Sequence, residues 1–165
     1  MNSVKDQLEQ LYDQNGDQFF HCALAVTRCS AAAEDAVHNA IRSAMRLSKT
    51  PDNLRAYLFR SIRNAAIDLC RKQARLVPIS TEMLFEIPAD QQDKIHQIEF
   101  LEDFKKELEE LSPNERETIM QHLVAHLSFQ EITDISGKPM GTVTSWYRRG
   151  ILKLKQKLKH EYGSI

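Results

Sequence analysis

The chain is poor in the residues that break or staple a fold. Its 165 residues include only 5 glycines and 5 prolines, which fits a mostly helical protein. There are 3 cysteines, at 22, 29 and 70. An odd number without a C-x-x-C pair excludes a disulfide framework and a zinc ribbon. Buried or inert thiols are the main expectation, and a redox switch is the lesser one. No apolar run approaches a membrane span, and the first residues lack the basic-then-apolar pattern of a signal peptide. The expectation is a cytoplasmic protein. No P-loop, Gly-rich phosphate turn or Ser-His-Asp order is present, so the chain is not expected to be an enzyme or to need a cofactor.

What the chain does have is charge, unevenly placed. Mean hydropathy is -0.46 and the formal net charge is -1. Residues 1–75 nevertheless carry 11 basic and 8 acidic side chains, residues 76–112 carry 3 and 10, and residues 113–165 carry 8 and 5. Two mildly basic ends flank a strongly acidic middle, and this asymmetry is more informative than the total.

The pattern is all-helical. Val4, Leu8, Leu11 and Tyr12 fit a first helix, which Asn15-Gly16 is expected to break. Phe19, Phe20, Ala23, Leu24 and Val26 fit a second, heavily buried one. Ser30 is expected to cap a third, with Ala33, Val37, Ala40, Ile41, Ala44 and Met45 on one face. A long helix from about Asp52 to Ala74 turns Leu54, Tyr57, Leu58, Ile62, Ala65, Ala66 and Leu69 inward. Its other faces hold Arg55, Arg60, Arg63, Asn64, Arg71 and Lys72. Residues 76–98, with Pro78 and Pro88 and no steady period, read as a linker between two domains, 1–75 and 99–165. Helical pattern resumes near Glu99. Ser112-Pro113-Asn114-Glu115 and Ser128-Phe129-Gln130-Glu131 each have capping-box spacing.

The stretch from Leu127 to Arg149 has the order of a helix-turn-helix: a short helix with Phe129, Ile132 and Ile135, a turn made by Gly137, Pro139 and Gly141, and a basic helix capped by Thr142. An ordinary helical hairpin with a solvated basic face is the competing explanation. His122 and His126 are four apart, as metal ligands can be, but two ligands alone rarely hold a metal. His126 is expected to border the apolar face of Ile119 and Leu123, with His122 turned toward solvent.

Two blocks carry a family resemblance. Ala33-Glu34-Asp35-Ala36-Val37 leads to Leu54-Arg55-Ala56-Tyr57-Leu58-Phe59-Arg60-Ser61-Ile62-Arg63-Asn64-Ala65-Ala66-Ile67-Asp68-Leu69-Cys70-Arg71. Leu111-Ser112-Pro113 leads to Ser128-Phe129-Gln130-Glu131-Ile132 and Gly141-Thr142-Val143. In this order, with a linker between them, they resemble the two domains of bacterial RNA polymerase sigma factors of the extracytoplasmic-function (ECF) type.

The resemblance implies a division of labour. The helix bearing Glu34, Asp35, His38, Asn39 and Arg42 would dock on the polymerase clamp. The loop with Lys49 and Asn53 and the following helix, with Arg55, Arg60, Arg63, Asn64, Arg71 and Lys72, would open and hold the proximal promoter element. Thr142, Thr144, Ser145, Arg148 and Arg149 would read the distal element. The implied partners are core RNA polymerase, promoter DNA and an anti-sigma factor. The acidic linker, with Glu86, Asp90 and Asp93, would thread the polymerase's RNA channel. The rival readings are a stand-alone helix-turn-helix regulator and a sigma-mimicking interaction protein. Some positions depart from the family pattern: His38-Asn39 stands for Gln and an acidic residue, Tyr57 for Trp, and Thr144-Ser145-Trp146 for a basic residue, Ser and Arg. These departures put clamp affinity and the distal sequence read in question. Tyr57 and Trp146 are as readily core residues.

Overall fold

The computed structural model describes residues 3–76 and 107–161, and the secondary structure of these residues is helical. The expected linker at 76–98 lies outside the described residues apart from Leu76, and of the helix expected to begin near Glu99 residues 99–106 lie outside them, while Leu108 and Leu111 are buried as that pattern implies.

The first helix, α1 (Val4–Thr27), opens on a capping box. The Asp6 amide donates to Ser3 Oγ at 3.2 Å, and the Ser3 amide donates to Asp6 Oδ2 at 3.0 Å. Contrary to the break expected at Asn15-Gly16, α1 runs through both residues. A mid-helix glycine costs about 1 kcal/mol relative to alanine, and packing on both sides of it offsets that loss. Leu8 is buried before it, and Phe19, Cys22, Ala23 and Leu24 after it. Asn15 also donates its side-chain amide to the Leu11 carbonyl at 3.1 Å, within the helix. The chain leaves α1 through Arg28 in the left-handed region (φ 55°).

The second helix, α2 (Ser30–Met45), starts one residue earlier than a Ser30 cap would require. Cys29 is the N-cap and makes no side-chain cap bond. Thr27 Oγ1 accepts from the Cys29 amide at 3.4 Å instead. The buried face of α2 is mostly alanine: Ala32, Ala33, Ala36, Ala40 and Ala44 with Val37. Small side chains let it sit close to its neighbours. The third helix, α3 (Leu54–Leu76), is begun by Asn53, whose Oδ1 accepts from the Ala56 amide at 3.0 Å. It buries Leu54, Leu58, Phe59, Ile62 and Ala66. Phe59 meets Phe19 edge-on with ring centroids 4.7 Å apart, the geometry that the ring quadrupoles favour. α1, α2 and α3 form one bundle around these residues.

The second group is α4 (Pro113–Ile119), a π-helical turn (Met120–Val124), α5 (Phe129–Ser136) and α6 (Met140–Glu161). Both expected capping boxes are present, Ser112 with Glu115 and Ser128 with Glu131. Gly137 closes α5 at φ 69°. α6 begins at Met140, ahead of the expected cap at Thr142, because the Pro139 carbonyl already accepts from the Thr142 and Val143 amides at 3.0 and 3.1 Å.

The π turn changes the face that follows α4. One extra residue per turn rotates the side chains, so Leu123 is exposed and His126 faces solvent at φ 55°. His122 turns inward instead. The expected placement of the two histidines is therefore reversed. His122 Nδ1 lies 2.8 Å from the Leu127 carbonyl, and its ring stacks on Phe129 at 4.2 Å. Leu108, Leu111, Ile119, Met120, Leu127, Ile132, Ile135, Val143 and Leu154 fill the core of this group.

Candidate nucleic-acid interface

The two groups of helices face each other along α3. This helix contacts α5, and α1 contacts α4 and the π turn. One apolar cluster runs through both groups, and the polar contacts across the seam are made largely by arginines of the first group. Arg55 is ion-paired with Glu131 at the start of α5, and Asn15 Oδ1 accepts from its Nε at 3.1 Å. Arg60 donates Nε and Nη2 to the Asp134 carbonyl at 3.3 and 3.0 Å. Arg63 grips Glu117 with both arms of its fork, Nε to Oε1 at 2.5 Å and Nη2 to Oε2 at 3.3 Å. Gln18 donates to the Ala125 carbonyl at 2.7 Å, and Arg28 lies 3.2 Å from Glu109.

Electrostatics follow from this packing. Burial pushes the Glu131 carboxyl up. The Ser128 amide, then the Arg55 guanidinium, more than offset that and hold it below the usual carboxylate range. Cys22 lies behind the seam, and burial drives its thiol far above the ordinary range, with Glu117 adding to the effect. Such a thiol is inert. Burial also raises Cys70, with Cys29 next among the causes.

The rest of the expected proximal set lies outside the seam. Lys49, Asn53, Asn64, Arg71 and Lys72 are exposed, and Asn53 spends its carbonyl on capping α3. Tyr57 is half-buried against the core, and Arg55 stacks over the Phe59 ring at 4.9 Å.

On α6 the expected distal set divides. Ser145 and Arg148 are exposed. Thr144 is half-buried and turns its hydroxyl back to the Met140 carbonyl at 2.9 Å. Thr142 is half-buried. Arg149 Nε lies 3.9 Å from Glu115 Oε1, and Lys153 Nζ lies 2.8 Å from Glu115 Oε2. Burial raises the Glu115 carboxyl, but the Lys153 hydrogen bond, the Ser112 amide and the two cations bring it below the usual range. Trp146 is half-buried against the core. On α2, Glu34, Asp35, His38, Asn39 and Arg42 are all exposed and lie along one stripe.

Sequence reasoning did not find Gln18, Glu117 or the Asp134 carbonyl as seam partners, and it read Glu131 only as half of a capping box. No local signal marks them, because their partners stand 54 to 107 residues away.

Comparison with known proteins bears on what this interface is. Residues 11–76 match the model of sigma-70 region 2. The chain is 24% identical over 159 residues to the ECF RNA polymerase sigma factor SigM of Bacillus subtilis (strain 168), covering 94% of this chain and 95% of that protein. It is similar in structure to the sigma factor RpoE in complex with the anti-sigma factor NepR from Bartonella quintana, with TM-score 0.71 and 26% identity over 95% of this chain and 99% of that one. It shares the fold of CnrH, solved with the cytosolic domain of CnrY, with TM-score 0.68 and 19% identity over 95% of this chain and 90% of that one.

Proposed function

We infer that this chain is a bacterial RNA polymerase sigma factor of the ECF type, one that binds core polymerase, selects promoters and helps to melt them. The observation that carries this reading is the pairing of a region-2 match over residues 11–76 with a basic helix-turn-helix at the other end of the same chain. A stand-alone regulator would need only the second element.

The chemistry of each surface fits its part. The exposed stripe Glu34, Asp35, His38, Asn39 and Arg42 is the proposed clamp contact. Lys49, Arg55, Arg60, Arg63, Arg71 and Lys72 supply cations for strand phosphates. Asn53 and Asn64 have amide groups that can hydrogen-bond a base or sugar. Holding a base out of the stack costs roughly a few kcal/mol, which contacts of this kind can repay. Ser145 and Arg148 are the exposed candidates for base edges or phosphates of the distal element, with Thr142, Thr144 and Arg149 beside them. We propose residues 1–75 and 99–165 as the two domains, joined by an acidic tether that passes through the RNA path of the polymerase.

The RpoE of similar structure was solved with an anti-sigma factor, which supports an anti-sigma partner for this chain too. No helix among the described residues is long and apolar enough to cross a membrane, in keeping with work in the cytoplasm.

The test is transcription in vitro from a genomic library, with and without this chain added to purified core polymerase, followed by mapping of start sites. A new, restricted set of starts is expected. An unchanged set would overturn the reading.

A further inference from the structure

Two of the cysteines meet at one corner of the first bundle. Cys70, on α3, donates its thiol to the Val26 carbonyl in the last turn of α1 at 3.5 Å. Cys29 follows Val26 closely and is the N-cap of α2. Between them Arg28 takes the left-handed conformation. Thr27 Oγ1 accepts from the Cys29 amide at 3.4 Å and donates to the Cys29 carbonyl at 3.1 Å. That tight turn keeps Cys29 at the same corner as Cys70. Burial pushes the Cys70 thiol up, and the nearby Cys29 thiol is the next cause. Both are half-buried, whereas Cys22 is fully enclosed. The Cys29 side chain makes no cap bond, so its sulfur is not tied to the helix start.

A third group completes the corner. Arg116 of α4 is 7% exposed, and its Nε makes no hydrogen bond among the described residues. Its charge also acts on Cys70. Buried polar groups are normally paired, so an unpartnered guanidinium nitrogen close to a thiol is a feature that packing alone does not explain.

We propose that Cys29 and Cys70 form a modification site for hydroperoxides: a dithiol that peroxide closes to a disulfide, fastening the start of α2 to the far half of α3. The site goes beyond the initiation reading and does not depend on it.

Burial holds the Cys70 thiol protonated, so the first attack falls to Cys29. Its thiolate attacks one oxygen of the peroxide. The S–O bond forms, the O–O bond breaks, and the leaving hydroxide takes a proton and departs as water. Cys29 is then a sulfenic acid, which condenses with a thiol. The Cys70 sulfur attacks the Cys29 sulfur and passes its proton to the departing oxygen. The S–S bond forms, the S–O bond breaks, and a second water leaves. The two thiols together lose two electrons, and one peroxide becomes two waters. Arg116 supports the second step, because a nearby positive charge favours the Cys70 thiolate. The new bond closes a long loop and so restricts the unfolded chain, which stabilises the fold.

The test uses the full chain, reduced, desalted and treated with hydrogen peroxide. It is then alkylated with N-ethylmaleimide and cut with trypsin without reductant. Cleavage after lysine and arginine puts the three cysteines on separate peptides, 6–28, 29–42 and 64–71. Mass spectrometry should find 29–42 joined to 64–71 in a chain that stays monomeric on a non-reducing gel, and dithiothreitol should release them. The thermal midpoint should rise by several degrees on oxidation. Cys29→Ser and Cys70→Ser should each abolish both effects, and Cys22→Ala should abolish neither.

A link through 6–28, a link between two copies of the chain, or no link at all would overturn the proposal. So would separate peptides carrying sulfinic or sulfonic acid, since the second thiol would then have failed to capture the first. An equal rise of the midpoint in Cys29→Ser would overturn it too, because the stabilisation would not come from this bond.

Discussion

Gly150 of α6 lies directly against Ile119 of α4. A Cβ built on Gly150 would stand 2.4 Å from Ile119 Cδ1 and 3.3 Å from its Cγ1. Both residues are buried, so the isoleucine has little room to retreat. Gly150→Ala sets two effects against each other. Helix propensity favours alanine by about 1 kcal/mol, while an extra carbon in a packed core costs typically about 1–3 kcal/mol. We expect a net loss of stability, read as a lower thermal midpoint. Ile119→Val removes the clashing Cδ1. Combined with Gly150→Ala, it should lose less than the sum of the two single changes. Additive losses would mean that the contact is not the cause.

His126 carries the second prediction. It is exposed and holds φ 55° where the π turn hands over to α5. A residue with a Cβ pays about 1–2 kcal/mol to sit in the left-handed region, and glycine does not. His126→Gly should therefore hold or raise the denaturant midpoint, even though glycine gains freedom in the unfolded chain. His122→Ala should lower it, because that ring stacks on Phe129 and meets Tyr147 edge-on at 4.9 Å. Equal losses at both positions would show that the turn does not distinguish them.

These two histidines also mark where the sequence stopped being legible. The capping boxes at Ser112 and Ser128 could be read because each is a bond across three residues. The all-helical class could be read from periodicity, which is local too. The π turn could not, since a straight 3.6-residue helix drawn through Ile119, Leu123 and Val124 puts His126 on the apolar side. The continuation of α1 through Gly16 could not either, because what offsets a glycine is tertiary packing. At the candidate interface the arginines of α3 stood out by type and spacing. Their carboxylate partners did not, because Glu117 and Glu131 lie 54 and 76 residues further along the chain than Arg63 and Arg55.

Acid sensitivity follows from Glu115, whose side chain is only 6% exposed and faces Lys153. Its carboxyl titrates below the usual range in the folded chain, whereas an unfolded glutamate titrates near about 4.3. A depressed folded value means that the ionised form favours folding. That contribution is complete above the unfolded value and is lost as pH falls through the folded one. Thermal melts between neutral and acid pH should therefore show Glu115→Gln less stable than the unaltered chain at neutral pH. The gap should close below about pH 4.3. A gap that is constant across that range would detach the effect from titration.

The exposed end of α3 permits a sharper reading of the proposed strand contact. Arg71 and Lys72 lie outside the seam, so changing them leaves the closed packing in place. For single strands, log affinity falls with log salt by about 0.7 for each phosphate neutralised. Arg71→Ala with Lys72→Ala should thus flatten the salt slope for oligothymidylate by about 1.4 if both side chains meet phosphates. Melting temperature should stay as it was, since neither side chain is buried. Asn64→Ala, which removes no charge, should leave that slope unchanged while slowing open-complex formation on a promoter with core polymerase. A slope that does not move in the double variant would take Arg71 and Lys72 out of the strand path. A slope that moves with Asn64 would mean that the helix itself has shifted.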